Sequence, residues 1–264
     1  MTGQSGILID GRLVAFDAVE RDLPPALRRQ IAARLMAPPS VRHAEPTVIC
    51  SMDDEPWRPN ERLFDLAARV AADSPSVEHP LLRARTGASP RWFEVFPGEH
   101  YHLLTASCRI LEPRVVWEFG TDSGMGTVAL SEGMGTDGKI YTVDIDPWTT
   151  KKGPWVAAED FASGRIVQVV SDMKDAALFA SHAEQLADAD LIFVDGPKDG
   201  FTESAFLERL MRVQFRTHPI VIFDDIRLMT MLMVWRGIQR PKMDLTSFGH
   251  WSGTGLVDWT SATT

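Results

Sequence analysis

Residues 115–126 read VVWEFGTDSGMG, a mostly apolar run followed by a loop that contains three glycines. The run Val115–Phe119 has the length and composition of a buried parallel strand. Gly120 lets the chain turn sharply where that strand ends, and Gly124 and Gly126 stand where a helix is predicted to begin. Because a helix N-terminus favours anionic groups, this loop is a candidate ligand site.

The chain after residue 98 repeats this strand–helix pattern. Predicted strands are Val115–Phe119, Lys139–Ile145, Ile166–Val170, Leu191–Val194 and Ile220–Phe223, and predicted helices are Glu99–Leu111, Gly124–Met134, Trp155–Ala162, Lys174–Ala187, Thr202–Val213 and Leu228–Arg236. Strands and helices that alternate at this spacing indicate parallel βαβ units. Two final strands, Lys242–Phe248 and Thr254–Trp259, have no helix between them and predict an antiparallel hairpin. We therefore expect an α/β fold with a doubly wound, mostly parallel, Rossmann-like seven-stranded sheet and an antiparallel C-terminal edge.

Residues 1–97 lack this alternation, so we expect two domains: an N-terminal helical extension (1–97) and a ligand-binding α/β domain (98–264). The sequence of this extension predicts a hairpin within Ile7–Phe16 and helices at Pro24–Met36 and Glu61–Ala72, the second of which would be capped by Asn60. It also contains a short apolar stretch at Pro46–Cys50. Its predicted helices suggest a cap on the second domain or an arm for homo-oligomerisation.

The composition of the chain limits its partners and its location. Its 264 residues, of which 44% are hydrophobic, are enough for a sizeable α/β core. A formal net charge of −9 disfavours nucleic acid, because an acidic surface repels phosphates. No apolar run reaches the roughly 18 residues of a membrane span, and no signal peptide is evident. Two lone cysteines, Cys50 and Cys108, fit a reducing cytoplasm.

A second ligand-binding feature follows the second predicted strand, where Asp144 stands. A carboxylate at a strand tip can accept two hydrogen bonds from a ribose diol, and parallel strands place their ligand crevice at that edge. A dinucleotide fingerprint would read G-x-G-x-x-G, whereas Gly120, Gly124 and Gly126 follow the order G-x-x-x-G-x-G. The alternative interpretation is a tight structural turn beside a solvated Asp144.

With Glu118 two residues before the first glycine, the loop resembles the E-x-G-x-x-x-G element of class I S-adenosylmethionine-dependent methyltransferases. The resemblance implies that the loop wraps the methionine end of the cofactor and that Asp144 binds its ribose. It also implies that Asp172, after the third strand, receives the adenine amino group, although a helix N-cap is an alternative role for this residue. The predicted cofactor-binding residues are Glu118, Gly120, Thr121, Asp122, Gly124, Asp144, Ile145, Ser171, Asp172 and Asp195.

A cluster of acids is predicted where the fourth and fifth strands end. Asp195 follows Leu191–Val194, and Asp224 and Asp225 follow Ile220–Phe223. Because neighbouring strand tips meet at one edge of a sheet, these three carboxylates would repel one another unless a cation joins them. A hard divalent ion such as Mg²⁺ prefers oxygen ligands of this kind. The alternative is that the aspartates only cap turns.

Two segments resemble the catechol O-methyltransferase branch of the family. They are residues 195–199, which follow the pattern D-x-x-K-D, and the later acid pair Asp224-Asp225. The resemblance implies Mg²⁺, or another divalent cation, on the three aspartates and Lys198 as the general base. A cation beside Lys198 would lower its pKa toward the range of a useful base. The chain departs from this branch at Pro197, where catechol enzymes carry an aromatic residue, so a planar catechol is not the expected acceptor.

Together these features predict an O-methyltransferase for a hydroxyl of a small molecule, with Lys198 and Asp195 as catalytic residues. Analogy with the family suggests natural-product biosynthesis as its setting. The alternatives are another enzyme on the same fold, such as an aminopropyltransferase or a hydroxylase-like protein, and a non-catalytic cofactor-binding protein. An NAD-dependent dehydrogenase is disfavoured by the order of the glycines. The expected partner is a small hydroxylated acceptor, and neither nucleic acid nor a membrane is expected.

Overall fold

The computed structural model describes residues 6–9, 12–15, 57–86, 99–246 and 252–259 and divides the chain into two compact units, Met1–Thr47 and Val48–Thr264. In the first unit, strands β1 (Gly6–Ile9) and β2 (Arg12–Ala15) pair antiparallel, as predicted for Ile7–Phe16. The predicted helix Pro24–Met36 and the stretch Pro46–Cys50 lie outside the described residues.

The described part of the second unit contains a seven-stranded sheet and its connecting helices. The helices are α1 (Glu61–Asp73), α2 (Pro80–Thr86), α3 (Glu99–Leu111), α4 (Met125–Gly133), α5 (Ala158–Ala162), α6 (Ala176–Leu186), α7 (Phe201–Leu210) and α8 (Met229–Gly237). The strands are β3 (Val115–Phe119), β4 (Lys139–Asp144), β5 (Ile166–Val170), β6 (Leu191–Val194), β7 (Ile220–Asp224), β8 (Lys242–Asp244) and β9 (Thr254–Asp258). None of the described helices has both the length and the apolar character that crossing a membrane requires.

The strands lie in the order β5-β4-β3-β6-β7-β9-β8. Strands β3 to β7 are parallel, and β9 pairs antiparallel with both β7 and β8. This arrangement confirms the predicted doubly wound sheet and its antiparallel edge. The chain runs from β3 through β4 to β5 on one side and through β6 to β7 on the other, so the ligand crevice is expected outside the carboxyl ends of β3 and β6.

Apolar strands place the sheet in the centre of the core. Every residue of β6 and of β7 is buried, and Trp117, Phe193 and Phe223 are among the largest fully buried side chains. Burial of a large apolar side chain contributes about 1.5–3 kcal/mol relative to its exposure. Because these apolar runs fix the position of each strand, the acids that follow them are held at the edge of the sheet.

Helix α1 packs in the same unit as the sheet, although it lies within the predicted N-terminal extension. Asn60 Oδ1 accepts the Leu63 N–H at 3.0 Å, which confirms Asn60 as the cap of this helix. Leu63 is fully buried in the core, and Arg62 Nη1 donates to Asp258 Oδ1 at 3.0 Å. The domain boundary predicted near residue 97 falls within 87–98, outside the described residues, and stays a prediction.

Helices α5 and α6 begin two or three residues later in the chain than predicted, because the residues before them are engaged in other contacts. Helix α5 begins after Trp155, whose N–H donates to the Ser123 carbonyl in the glycine loop at 2.7 Å. Helix α6 begins after Asp175, whose carboxylate accepts the N–H groups of Ala177 and Leu178. Both contacts lie at the edge of the sheet where the ligand crevice is expected.

Candidate active site

The glycine loop after β3 follows a backbone path that favours glycine. Gly120 has φ +110° and Gly124 has φ +88°, and a Cβ atom at Gly120 would lie 1.8 Å from the Asp195 carbonyl oxygen. The Gly120 N–H donates to the Val143 carbonyl at 2.8 Å. The loop is therefore in close contact with the ends of both β4 and β6.

Asp144 lies at the tip of β4, where backbone donors hold its carboxylate. The Asp122 N–H donates to Oδ2 at 2.8 Å, and the Asp146 N–H donates to Oδ1 at 3.0 Å. Lys151 Nζ lies 3.9 Å from Oδ1. Since each carboxylate oxygen can accept more than one hydrogen bond, Asp144 can also accept hydrogen bonds from the hydroxyls of a ribose.

A cavity of about 580 Å³ opens beside Asp144 along the carboxyl ends of the strands. Its volume is in the range of small-molecule and cofactor sites. Seven of the predicted cofactor residues line it, namely Gly120, Asp122, Asp144, Ile145, Ser171, Asp172 and Asp195. The other three, Glu118, Thr121 and Gly124, are not among the lining residues.

Ser171 and Asp172 form the part of the cavity wall that follows β5. Ser171 Oγ is buried and has no hydrogen-bond partner among the described residues, so it is available to a ligand. Asp172 Oδ1 accepts the Lys174 N–H at 2.9 Å, whereas Asp175 is the N-cap of α6. The capping role considered for Asp172 therefore belongs to Asp175.

Glu118 is buried beneath the glycine loop, where only 1% of it is exposed. Thr127 Oγ1 donates to its Oε2, and its Oε1 has no hydrogen-bond partner in the part of the chain that the structure describes. Burial raises the pKa of Glu118 to about 7, although hydrogen bonds from Thr127 and Thr142 work in the opposite direction. A Cβ atom at Gly126 would lie 2.3 Å from Oε1, so Glu118 packs against the first turn of α4.

The acids that follow β6 and β7 converge on one point, which Lys198 Nζ occupies. Nζ donates to Asp195 Oδ1 at 2.6 Å and to Asp224 Oδ2 and Asp225 Oδ2 at 2.7 Å each. We call these three aspartates the carboxylate triad. The Lys198 side chain is 14% exposed, so the protein shields most of it from water. The convergence predicted from the strand ends is present in the structure.

The triad raises the pKa of Lys198 well above its usual range. Burial disfavours the ammonium, but attraction to Asp195, Asp224 and Asp225 outweighs this effect. The pKa of Asp195 is also raised, because burial and repulsion from Asp224 exceed the opposing effect of Lys198. The expectation that a bound divalent cation lowers the pKa of Lys198 stays a prediction, because here the lysine itself is the cation between the carboxylates.

Two side chains form hydrogen bonds with the backbone of Lys198, and neither was among the residues predicted from the sequence. Lys198 has φ +61°, its N–H donates to Glu203 Oε1 at 2.9 Å, and its carbonyl accepts Thr230 Oγ1 at 2.6 Å. Glu203 is 1% exposed and also accepts the Gly200 N–H at 2.9 Å through Oε2. A glutamate three residues after the residue that precedes a helix is the pattern of a capping box, and it could have identified Glu203.

Helix α3 adds two aromatic side chains beside the triad. His100 Nε2 lies 3.9 Å from Asp224 Oδ1, and its Nδ1 lies 3.2 Å from Thr254 Oγ1. The Tyr101 ring meets the His100 ring edge to face, with centroids 5.2 Å apart. Burial, together with the charges of Asp195 and Asp224, raises the pKa of Tyr101. The sequence placed both residues on a helix that leads into the sheet, but it contained no signal for these contacts.

The donor atoms of the triad suit a hard divalent cation, because all three are carboxylate oxygens. Among the residues that the structure describes, no group of three or more His, Cys, Asp or Glu side chains is arranged as a ready metal site. In the triad, the Lys198 ammonium stands in for the cation and contacts one oxygen of each aspartate. The assignment of Asp195, Asp224 and Asp225 as metal ligands stays a prediction.

The chain is similar to several known proteins. A family profile described as a methyltransferase domain matches residues 117–226. No curated protein matches the chain. Among solved structures, the SAH-bound Podospora anserina methyltransferase PaMTH1 is 14% identical, with a TM-score of 0.48 over 90% of this chain and 98% of that one. An O-methyltransferase from Bacillus cereus in complex with SAH is 15% identical, with a TM-score of 0.37 over 75% and 92% of the two chains.

The MycE methyltransferase from the mycinamycin biosynthetic pathway, in complex with Mg and SAH, is 19% identical, with a TM-score of 0.38 over 55% of this chain and 38% of that one. The segment matched by the family profile begins in β3 and ends just after β7. It thus includes the glycine loop, Asp144 and the carboxylate triad. Over these residues, which are less than half of the chain, the sequence is similar to a methyltransferase domain.

Proposed function

We propose that this chain is an S-adenosylmethionine-dependent O-methyltransferase that methylates a hydroxyl of a small molecule. One observation carries the proposal: Asp195 belongs to both halves of the site. Its carbonyl oxygen lies against the glycine loop and the residue lines the cavity, while its Oδ1 lies 2.6 Å from Lys198 Nζ. A methyl donor in the cavity and an acceptor at the triad would therefore meet at this residue.

Three features of the cavity support S-adenosylmethionine as the donor. Gly120 lines the cavity and carries no side chain, so a ligand can approach the backbone there. Asp144 offers carboxylate oxygens to a ribose, and Ser171 Oγ is an unsatisfied hydroxyl where the adenine is expected. When bound, the cofactor supplies a methyl group on a sulfonium.

In the proposed reaction, the acceptor hydroxyl loses its proton and its oxygen takes the methyl group as the sulfur–methyl bond breaks. The sulfur keeps the bonding electron pair and leaves as a thioether. Much of the rate would come from holding the two reactants in this alignment. We assign the proton to Lys198, which can accept it only after its ammonium has lost its own proton to solvent, because the triad raises the pKa of the resting side chain. A cation held by Asp195, Asp224 and Asp225 would favour the neutral amine. A divalent cation on the triad would supply the stabilisation of an acceptor oxyanion.

The proposed acceptor is a hydroxylated small molecule, such as a natural product. Pro197 lines the cavity where catechol enzymes carry an aromatic side chain, which disfavours a planar acceptor. The net charge of −9 argues against nucleic acid as the substrate. A location in the cytoplasm, with no membrane partner, is part of the same proposal.

Calorimetry with S-adenosylmethionine and S-adenosylhomocysteine tests the cofactor. We expect both to bind one site per chain, and binding of neither would remove the proposal. Replacing Asp144 by Ala should weaken the binding of both, because it removes the proposed ribose contact without touching the triad.

Mass spectrometry of reactions with a panel of phenols, sugar alcohols and other hydroxylated compounds tests the reaction. A product heavier by one CH₂ unit supports O-methyl transfer, whereas an aminopropyl or hydroxyl adduct would support another enzyme on this fold. Cofactor binding without any product across the panel would favour a non-catalytic protein. Asp195→Ala and Asp224→Ala should abolish stimulation by Mg²⁺, and turnover unaffected by excess chelator would argue against the metal.

A further inference from the structure

The carboxylate triad already contains a cation, and that cation belongs to the chain. Lys198 Nζ contacts one oxygen of each aspartate, at 2.6, 2.7 and 2.7 Å. We propose that the Lys198 ammonium and a divalent cation are alternative occupants of the triad, so that metal binding displaces the lysine side chain. The inference rests on the cation site in the proposed function and adds that Lys198 competes with the ion for that site.

Charge balance makes the two occupants mutually exclusive. One ammonium offsets only one of three carboxylate charges, so the cluster retains an attraction for a cation of higher charge. A divalent ion and the ammonium at the same point would bring three positive charges within a few ångströms, where their repulsion is large in a shielded site. The lysine must therefore leave the centre of the triad when the ion enters it.

The chain is built so that this exchange moves only a side chain. The Lys198 backbone is held by Glu203 Oε1 at its N–H and by Thr230 Oγ1 at its carbonyl. Asp224 is the last residue of β7, so its backbone is fixed by the sheet. The lysine reaches the triad through a flexible four-carbon stem, which can change rotamer while the turn stays in place.

Titration of Mn²⁺ followed by electron paramagnetic resonance tests the exchange. The Lys198→Met variant keeps the stem but removes the competing ammonium, so it should bind Mn²⁺ at least tenfold more tightly than the unmodified chain. Lys139→Met is the matched control, because it removes one positive charge at the opposite end of β4 and should leave the affinity unchanged. Equal or weaker binding by Lys198→Met, or no Mn²⁺ binding by the unmodified chain at millimolar concentration, would overturn the proposal.

A second measurement uses the unmodified chain and does not depend on the folding of a variant. Acetylation of individual lysines is followed by peptide mass spectrometry with and without saturating Mn²⁺. Labelling of Lys198 should rise severalfold with the ion, while labelling of Lys139 stays constant; an unchanged Lys198 rate contradicts displacement. Calorimetry with S-adenosylhomocysteine on the same samples separates the two proposals, because loss of cofactor binding would count against the proposed function and not against the exchange.

Discussion

A Cβ atom on Gly120 would lie 1.8 Å from the carbonyl oxygen of Asp195, so the glycine loop and the residue after β6 are in contact backbone to backbone. Gly120 also has φ +110°, a conformation that side chains disfavour. This contact joins the cavity to the carboxylate triad, since Asp195 lines the first and belongs to the second. The two halves of the site therefore meet at a backbone contact that leaves no room for a side chain on Gly120.

The Gly120→Ala variant should lower the free energy of unfolding by at least about 3 kcal/mol, because the added carbon overlaps fixed backbone and the φ angle is strained. Urea denaturation followed by circular dichroism measures the change. Gly135→Ala is the control, since a Cβ atom there has no neighbour within 4 Å, and it should change stability by less than about 1 kcal/mol. Equal effects of the two variants would mean that the loop and Asp195 are not in contact.

The Glu203→Gln variant should lower kcat without weakening cofactor binding. The Glu203 carboxylate accepts the N–H groups of Lys198 and Gly200, and an amide offers only one acceptor oxygen and turns a donor toward the second N–H. We expect a loss of about 1–3 kcal/mol in stability, a fall in kcat of tenfold or more, and an S-adenosylhomocysteine Kd within about twofold of the unmodified value. Steady-state kinetics and calorimetry measure the two effects separately.

Glu208→Gln is the control for Glu203→Gln, because it makes the same change on the exposed face of the same helix. It should alter stability by no more than about 0.5 kcal/mol and leave kcat unchanged. If Glu203→Gln lowers stability but not kcat, Glu203 supports the fold and does not position Lys198.

The fold was predictable because apolar periodicity fixes strands locally. Strands such as Leu191–Val194 need only a short apolar run to be recognised, and their alternation with helices predicts that they pair in parallel. The convergence of acids was predictable for the same reason, since Asp195 and Asp224 follow directly on buried strands. The position of β9 between β7 and β8 was not predictable, because the sequence indicates two successive strands but not which of them pairs with the rest of the sheet.

The sequence did not predict where the lysine side chain lies. Lys198 was identified as a base near a metal, but its stem can point in many directions and spacing alone does not choose among them. The position of Glu203 in the first turn of its helix could have identified it as a helix-capping residue, but not as a hydrogen-bond partner of Lys198. Contacts made by long side chains depend on neighbours distant in sequence, which a single sequence does not reveal.

The Asp144→Asn variant should weaken S-adenosylhomocysteine binding at least tenfold, which corresponds to about 1.4 kcal/mol. Two backbone N–H groups, from Asp122 and Asp146, point at the carboxylate, and an amide would place a donor against one of them and lose an acceptor for the ribose. Calorimetry measures the Kd. Asp137→Asn, an exposed residue in the turn before β4, is the control and should leave the Kd unchanged; a similar Kd for Asp144→Asn would remove Asp144 from the ribose site.

The pH dependence of stability tests the burial of Glu118. Burial raises its pKa in the folded chain to about 7 from the ordinary 4.5, so the folded state holds its proton more tightly than the unfolded state does. The resulting stabilisation is complete below about pH 4.5 and is lost as the pH rises through 7, a fall of up to about 3 kcal/mol in the free energy of unfolding.

Glu118→Gln cannot titrate, so its stability relative to the unmodified chain should increase between pH 4.5 and 7 and level off above that range. Urea denaturation at a series of pH values measures the difference. Glu159→Gln removes an exposed carboxylate and controls for the loss of one acidic group from the surface. If the difference for Glu118→Gln does not vary with pH, then Glu118 is ionised in the folded protein. Its Oε1, which has no partner within the described residues, would then have to be satisfied by water.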